Sequence, residues 1–94
     1  MLTVTAAALE RLSQKLARRK AADDVSLRFR RVAGRWRLRR SRVRPDDATF
    51  SHKGRKVLLL DEATAKAMAA LTLVVTDTEA GERLKLRKSK GDQR

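Results

Sequence analysis

VSLRFRRVAGRWRLRRSRVR, residues 25–44, is the stretch whose reading decides the fold. Val25, Leu27 and Phe29 alternate with Ser26, Arg28 and Arg30, and Trp36 and Leu38 alternate with Arg35, Arg37 and Arg39. Apolar residues at every second position suit a strand with one face buried. Ala33-Gly34 separates the two halves, and glycine accepts a positive φ without steric cost. A β-hairpin is therefore expected, with a core-facing inner side and an outer side almost solid in arginine. Between Arg28 and Arg44 there are nine arginines and no carboxylate, in a chain of net charge +13.

Outward from the hairpin, the flanking segments alternate strand and helix signals. Leu2-Thr3-Val4 reads as a short strand, and Thr5 is a good N-cap for a helix over residues 6–19 that carries Leu9, Leu12 and Leu16 on one face. Arg11, Lys15 and Arg18 form a basic stripe assigned to its solvent side. Pro45-Asp46-Asp47 is a turn, since proline presets φ and aspartate bonds nearby backbone. Ala48–Ser51 and Arg55–Leu60 read as strands joined by a turn at His52-Lys53-Gly54, and Val57–Leu60, apolar on both faces, marks a central strand. Asp61 caps a second helix over residues 62–70, then strands follow at Leu71–Thr76 and Glu82–Arg87. The expected fold class is α+β, mainly β: about six to seven short strands in a sheet folded on itself, with two helices. Residues 1–87 form a single domain in this reading, and residues 88–94 a basic, flexible tail.

Composition narrows the chemistry. The chain has 94 residues, enough for one small domain with one modest core. There is no cysteine, which excludes disulfides, thiolate catalysis and cysteine-held clusters. No apolar run approaches a membrane span and no signal-peptide core is evident, so a cytoplasmic location is expected. Arginine outnumbers lysine sixteen to eight, a bias that either a GC-rich genome or selection for bidentate anion binding would produce.

The element order resembles a known family. Leu2-Thr3-Val4-Thr5 leading into an alanine-rich helix that ends near Ala17 resembles the opening of the A-type iron–sulfur cluster carriers, the HesB-like family. Phe50-Ser51-His52-Lys53-Gly54-Arg55-Lys56-Val57-Leu58-Leu59, a hairpin entering a strand and then a helix, is similar as well. The resemblance covers residues 2–87. Family members hold their cluster with three cysteines, one after a glycine in the loop following the third element and two in a Cys-Gly-Cys near the C-terminus. Here those places read Ala33-Gly34-Arg35-Trp36 and Arg87-Lys88-Ser89-Lys90-Gly91-Asp92. Clusters of this kind are held by thiolates, so the resemblance implies the fold and an iron–sulfur-biosynthesis-like scaffold without the cluster.

No catalytic set stands out. His52 sits alone in a turn, too little for a metal site. Asp23-Asp24, Asp46-Asp47 and Asp61-Glu62 lie at element boundaries, where turn and cap duty accounts for them. There is no Ser-His-Asp set and no phosphate loop, so no enzyme, cofactor or metal is expected. The arginines differ, because like charges directly opposed across a hairpin destabilise by roughly 0.2–1 kcal/mol each. Anions that relieve this would be phosphates, lipid headgroups, or carboxylates of a partner protein or of the chain itself. The expected anion or nucleic-acid site comprises Arg28, Arg30, Arg35, Arg37, Arg39, Arg40, Arg42 and Arg44. Trp36 is expected inward beside Leu38; an exposed ring would instead stack on a base. Two functions follow: a non-catalytic, cysteine-less HesB-like module for an anionic or protein partner, or a small basic protein binding RNA or DNA with low sequence specificity.

Overall fold

A computed structural model describes residues 2–20, 22 and 24–89. Its seven strands and two helices follow the expected order: β1 (Thr3–Val4), α1 (Ala6–Arg18), β2 (Val25–Val32), β3 (Arg35–Arg42), β4 (Ala48–His52), β5 (Arg55–Leu60), α2 (Glu62–Ala67), β6 (Leu71–Thr78) and β7 (Gly81–Lys88). The α+β, mainly β class expected from the sequence is what forms. The strands divide into two mixed sheets, ordered β1-β6-β7 and β3-β2-β5-β4. β1 runs parallel to β6 and β2 parallel to β5, while the three hairpins are antiparallel.

Local chemistry places the boundaries. The Thr5 hydroxyl accepts from the Ala8 N–H at 3.2 Å and starts α1; Asp61 Oδ1 accepts from the Thr64 N–H at 2.7 Å and starts α2. The β2–β3 turn has Ala33 at φ 52° and Gly34 at φ 78°, and the β4–β5 turn has Lys53 at φ 53° and Gly54 at φ 83°. Two successive positive φ values give a turn whose twist matches that of the flanking strands.

The core gathers between the sheets and α1. Ala8, Leu12 and Leu16 of α1 meet Leu27 and Phe29 of β2, Leu58 and Leu60 of β5, Met68 and Leu73. β5 is central, as its doubly apolar sequence requires. Its pairing with β4 shifts register between Phe50 and Ser51. Val57, Leu58, Leu59 and Leu60 are all buried, adjacent residues included, because both faces of this central strand are covered.

Three boundaries differ from the sequence reading. α2 stops at Ala67 because Met68, fully buried, turns into the core and the Leu71 N–H bonds back to the Met68 carbonyl at 3.0 Å. β6 and β7 extend to a tight turn at Thr78–Gly81, where the Thr78 hydroxyl donates to the Gly81 carbonyl at 2.7 Å. At the expected tail, Lys88 still belongs to β7 and the Ser89 N–H donates to the Ala70 carbonyl at 2.8 Å. The rest of that tail, residues 90–94, and the turn residue Asp23 lie outside the described residues.

Candidate anion-binding surface

The β2–β3 register sorts the arginines by face. Val25 pairs with Arg42, Leu27 with Arg40, Phe29 with Leu38 and Arg31 with Trp36 on the core-facing side. Arg28 pairs with Arg39, Arg30 with Arg37 and Val32 with Arg35 on the outer side. The eight expected site residues therefore do not share one surface. Arg28, Arg30, Arg35, Arg37 and Arg39 do share the outer face; Arg40 and Arg42 project with Trp36 and Leu38; Arg44 lies beyond β3, in the turn.

Arg28 must be removed from the expected exposed set. It is only 2% exposed, and its guanidinium is committed inside the fold. Nη1 and Nη2 donate to the two carboxylate oxygens of Asp47 at 2.8 and 2.5 Å. Nε donates to the Ser41 hydroxyl at 3.1 Å, and Nη2 also to the Arg42 carbonyl at 3.2 Å. The turn over residues 44–47 brings Asp47 back over the hairpin, and the Arg44 N–H donates to Asp47 Oδ2 at 2.7 Å. Hydrogen bonds from Arg28, then from the Arg44 N–H, hold the Asp47 carboxyl below its ordinary range, and Asp47 raises Arg28 in return. The sequence gives no sign of this pairing, since nineteen positions separate the two residues.

The other arginines are less occupied. Arg42 meets Asp24 at 2.9 Å, with both side chains exposed, so the pair adds little to stability. Arg31 lies over the indole of Trp36, 4.8 Å from its centroid. Trp36 in turn meets the Phe29 ring edge-on at a centroid separation of 6.4 Å. Its side chain thus joins the core beside Leu38, as the alternation implies. Arg30, Arg35, Arg37, Arg39, Arg40 and Arg44 are exposed, and no carboxylate among the described residues forms an ion pair with them.

The sequence reading missed part of the cationic surface. A cleft of about 710 Å³ lies between the C-terminal half of α1 and the core-facing side of β3, with Lys15, Arg19 and Lys20 on one wall and Arg40 and Arg42 on the other. A second cleft of about 610 Å³ continues between β3 and β7 and shares Lys15 and Leu38 with the first. Arg11 and Lys15 are half-buried here, not on a free solvent face. Burial, then the charges of Arg11, Arg19, Arg18 and Arg83, lower the Lys15 ammonium from its usual value. The basic stripe was visible in the sequence; what it faces depends on where β3 lies.

His52 closes β4, half-buried and paired in register with Arg55. Among the described residues no group of three His, Cys, Asp or Glu side chains could hold a metal ion. No helix among them is long and apolar enough to cross a membrane.

Three solved structures share this arrangement. SufA of Escherichia coli, involved in biosynthesis of iron–sulfur clusters, superposes with a TM-score of 0.66 at 21% identity, over 93% of this chain and 84% of that one. The chain has the HesB-like fold. IscA with its [2Fe-2S] cluster gives 0.56 at 16% identity over 94% and 82% of the two chains. A protein from Aquifex aeolicus gives 0.60 at 18% over 93% and 90%. No protein-family model and no curated protein matches the sequence. On this HesB-like frame Arg35 follows Gly34 as an exposed residue at the hairpin tip, and no cysteine exists anywhere in the chain. The residues present do not fit an iron–sulfur cluster, which needs thiolate ligands.

Proposed function

We propose that the chain is a cytoplasmic, non-catalytic HesB-fold module that carries no iron–sulfur cluster and holds an anionic partner. One observation carries this reading: Arg30, Arg35, Arg37, Arg39 and Arg40 are exposed on one hairpin, with no ion pair to any described carboxylate. Arg30 and Arg37 even stand directly opposite each other. Such an arrangement is relieved by external anions. A guanidinium also suits carboxylate and phosphate equally, through two parallel hydrogen bonds.

Nucleic acid is the second reading, and the outer face favours it. Strand geometry sets Arg35, Arg37 and Arg39 about 6.6 Å apart, close to the spacing of successive phosphates. With Trp36 engaged by Phe29 and Arg31, such binding would be electrostatic and weakly selective. The test is to purify the full chain at low salt and ask what co-elutes. Acidic protein or nucleic acid released by a high-salt wash supports the anion-binding reading, and the identity of the material chooses between the two. A chain that elutes alone and binds neither heparin nor oligonucleotide at low salt overturns it.

A further inference from the structure

β3 and β7 are both edge strands, each hydrogen-bonded to one neighbour in its sheet among the described residues. They border the same cleft. Trp36 and Leu38 of β3 lie across it from Leu84 and Leu86 of β7, and all four are half-buried. The floor is therefore apolar, while the walls are cationic: Arg11, Lys15 and Arg83 here, and Arg19, Lys20 and Arg40 where it runs on toward the end of β3. Glu82 is the one carboxylate among the lining residues. The Nε of Arg11 is buried and has no hydrogen-bond partner among the described residues.

We infer that this cleft receives an extended acidic segment of a partner protein, in which carboxylates alternate with apolar side chains. The inference rests on the anion-binding reading above and gives it a site and a partner class. An extended chain laid along an unpaired strand edge satisfies the free backbone groups of that edge, and alternate side chains then point to opposite sides. Apolar side chains of the segment would enter between Leu38 and Leu84. Carboxylates would meet the guanidinium and ammonium groups on the walls. Charged edge strands discourage pairing with neutral strands or with another copy of the same basic edge, so the arginines of β3 select for an acidic strand by opposing the others. Nucleic acid fits the cleft less well, because its two rings, Phe29 and Trp36, are engaged with each other and Arg31 lies over the indole, leaving leucines as the remaining apolar contacts.

The test uses the full chain, Trp36 fluorescence as readout, and three probes of equal length: an alternating Glu-Leu peptide, an all-Glu peptide and oligothymidine. The Glu-Leu peptide should bind saturably and about tenfold or more tighter than all-Glu, since only it uses the floor. Lys15→Glu should weaken Glu-Leu binding by about tenfold or more through like-charge repulsion. Lys53→Asn with Lys66→Gln, two exposed lysines outside the hairpin arginines and away from both clefts, should change it by less than about threefold. Because Lys15 is half-buried, Lys15→Gln serves as a milder second variant and should weaken binding in the same direction. Equal binding of Glu-Leu and all-Glu, or loss with the two distant lysines but not at Lys15, overturns the cleft while leaving the anion-binding reading intact. Oligothymidine displacing Glu-Leu from the cleft with higher affinity overturns the partner class. If none of the three probes binds at low salt, both readings fall.

Discussion

Arg28 and Asp47 are the pair on which the hairpin turns. Both side chains are 2% exposed, and the carboxylate is met by two guanidinium nitrogens and one backbone N–H. Removing one partner strands a buried charge, which costs about 3–5 kcal/mol, while replacing both by apolar groups is often nearly neutral. Asp47→Ala should therefore lower the unfolding free energy in urea by about 3–5 kcal/mol, and Arg28→Met combined with Asp47→Leu should recover most of it. The same pair makes a pH prediction. The folded Asp47 carboxyl titrates below its ordinary 3.8, so its contribution is complete above that pH and is lost as pH falls through the folded value. Asp61 shifts the same way, chiefly because its carboxylate accepts from the Thr64 N–H. Acid unfolding followed by circular dichroism should show the stability gap between wild type and Asp47→Asn narrowing below about pH 4. A gap that stays constant would mean that the pair is not ionised in the fold.

At the scale of elements, the hairpins carry strain that their sequences do not relieve. Ala33 and Lys53 occupy positive φ at the first turn positions, where a residue with a Cβ carries a penalty of roughly 1–2 kcal/mol that asparagine largely avoids. Ala33→Asn and Lys53→Asn should each raise stability by about 0.5–1 kcal/mol, read as a higher Tm. An unchanged or lower Tm for both would contradict the turn geometry. α1 depends on its cap in the same local way. Thr5→Ala, which removes the acceptor for the Ala8 N–H, should cost about 1 kcal/mol. These features were legible in the sequence, because turn glycines and a threonine before an amphipathic run act through the nearest few residues. The outer and inner faces of β2 and β3 were legible for the same reason, since alternation along a strand is local.

For the whole molecule, charge decides more than any single contact. A net charge of +13 on 94 residues opposes compaction. Raising monovalent salt from about 20 to about 300 mM should raise the Tm, as screening shortens the reach of the repulsion. The same change should weaken binding of any polyanion. A Tm that falls with salt would show that the arginines are neutralised within the fold. Reconstitution with iron and sulfide should leave the protein colourless, because no thiolate is available. Stable cluster absorbance would refute the proposal of a cluster-free module.

The sequence by itself determined the strand and helix order, the caps, the turns, the central place of Val57–Leu60 and the lack of any cysteine ligand. Each of these depends on composition or on residues within a few positions of one another. Only the tertiary structure decided which arginines are free. Arg28 looked like one more member of an exposed face until the turn over residues 44–47 folded back and set Asp47 against it. Arg11 and Lys15 looked like part of a solvated helix stripe until β3 came to lie across from them and made them one wall of a cleft. The physical reason is the same in both cases. A charge takes its meaning from the groups that approach it through space, and alternation along the chain cannot say which distant segment will arrive.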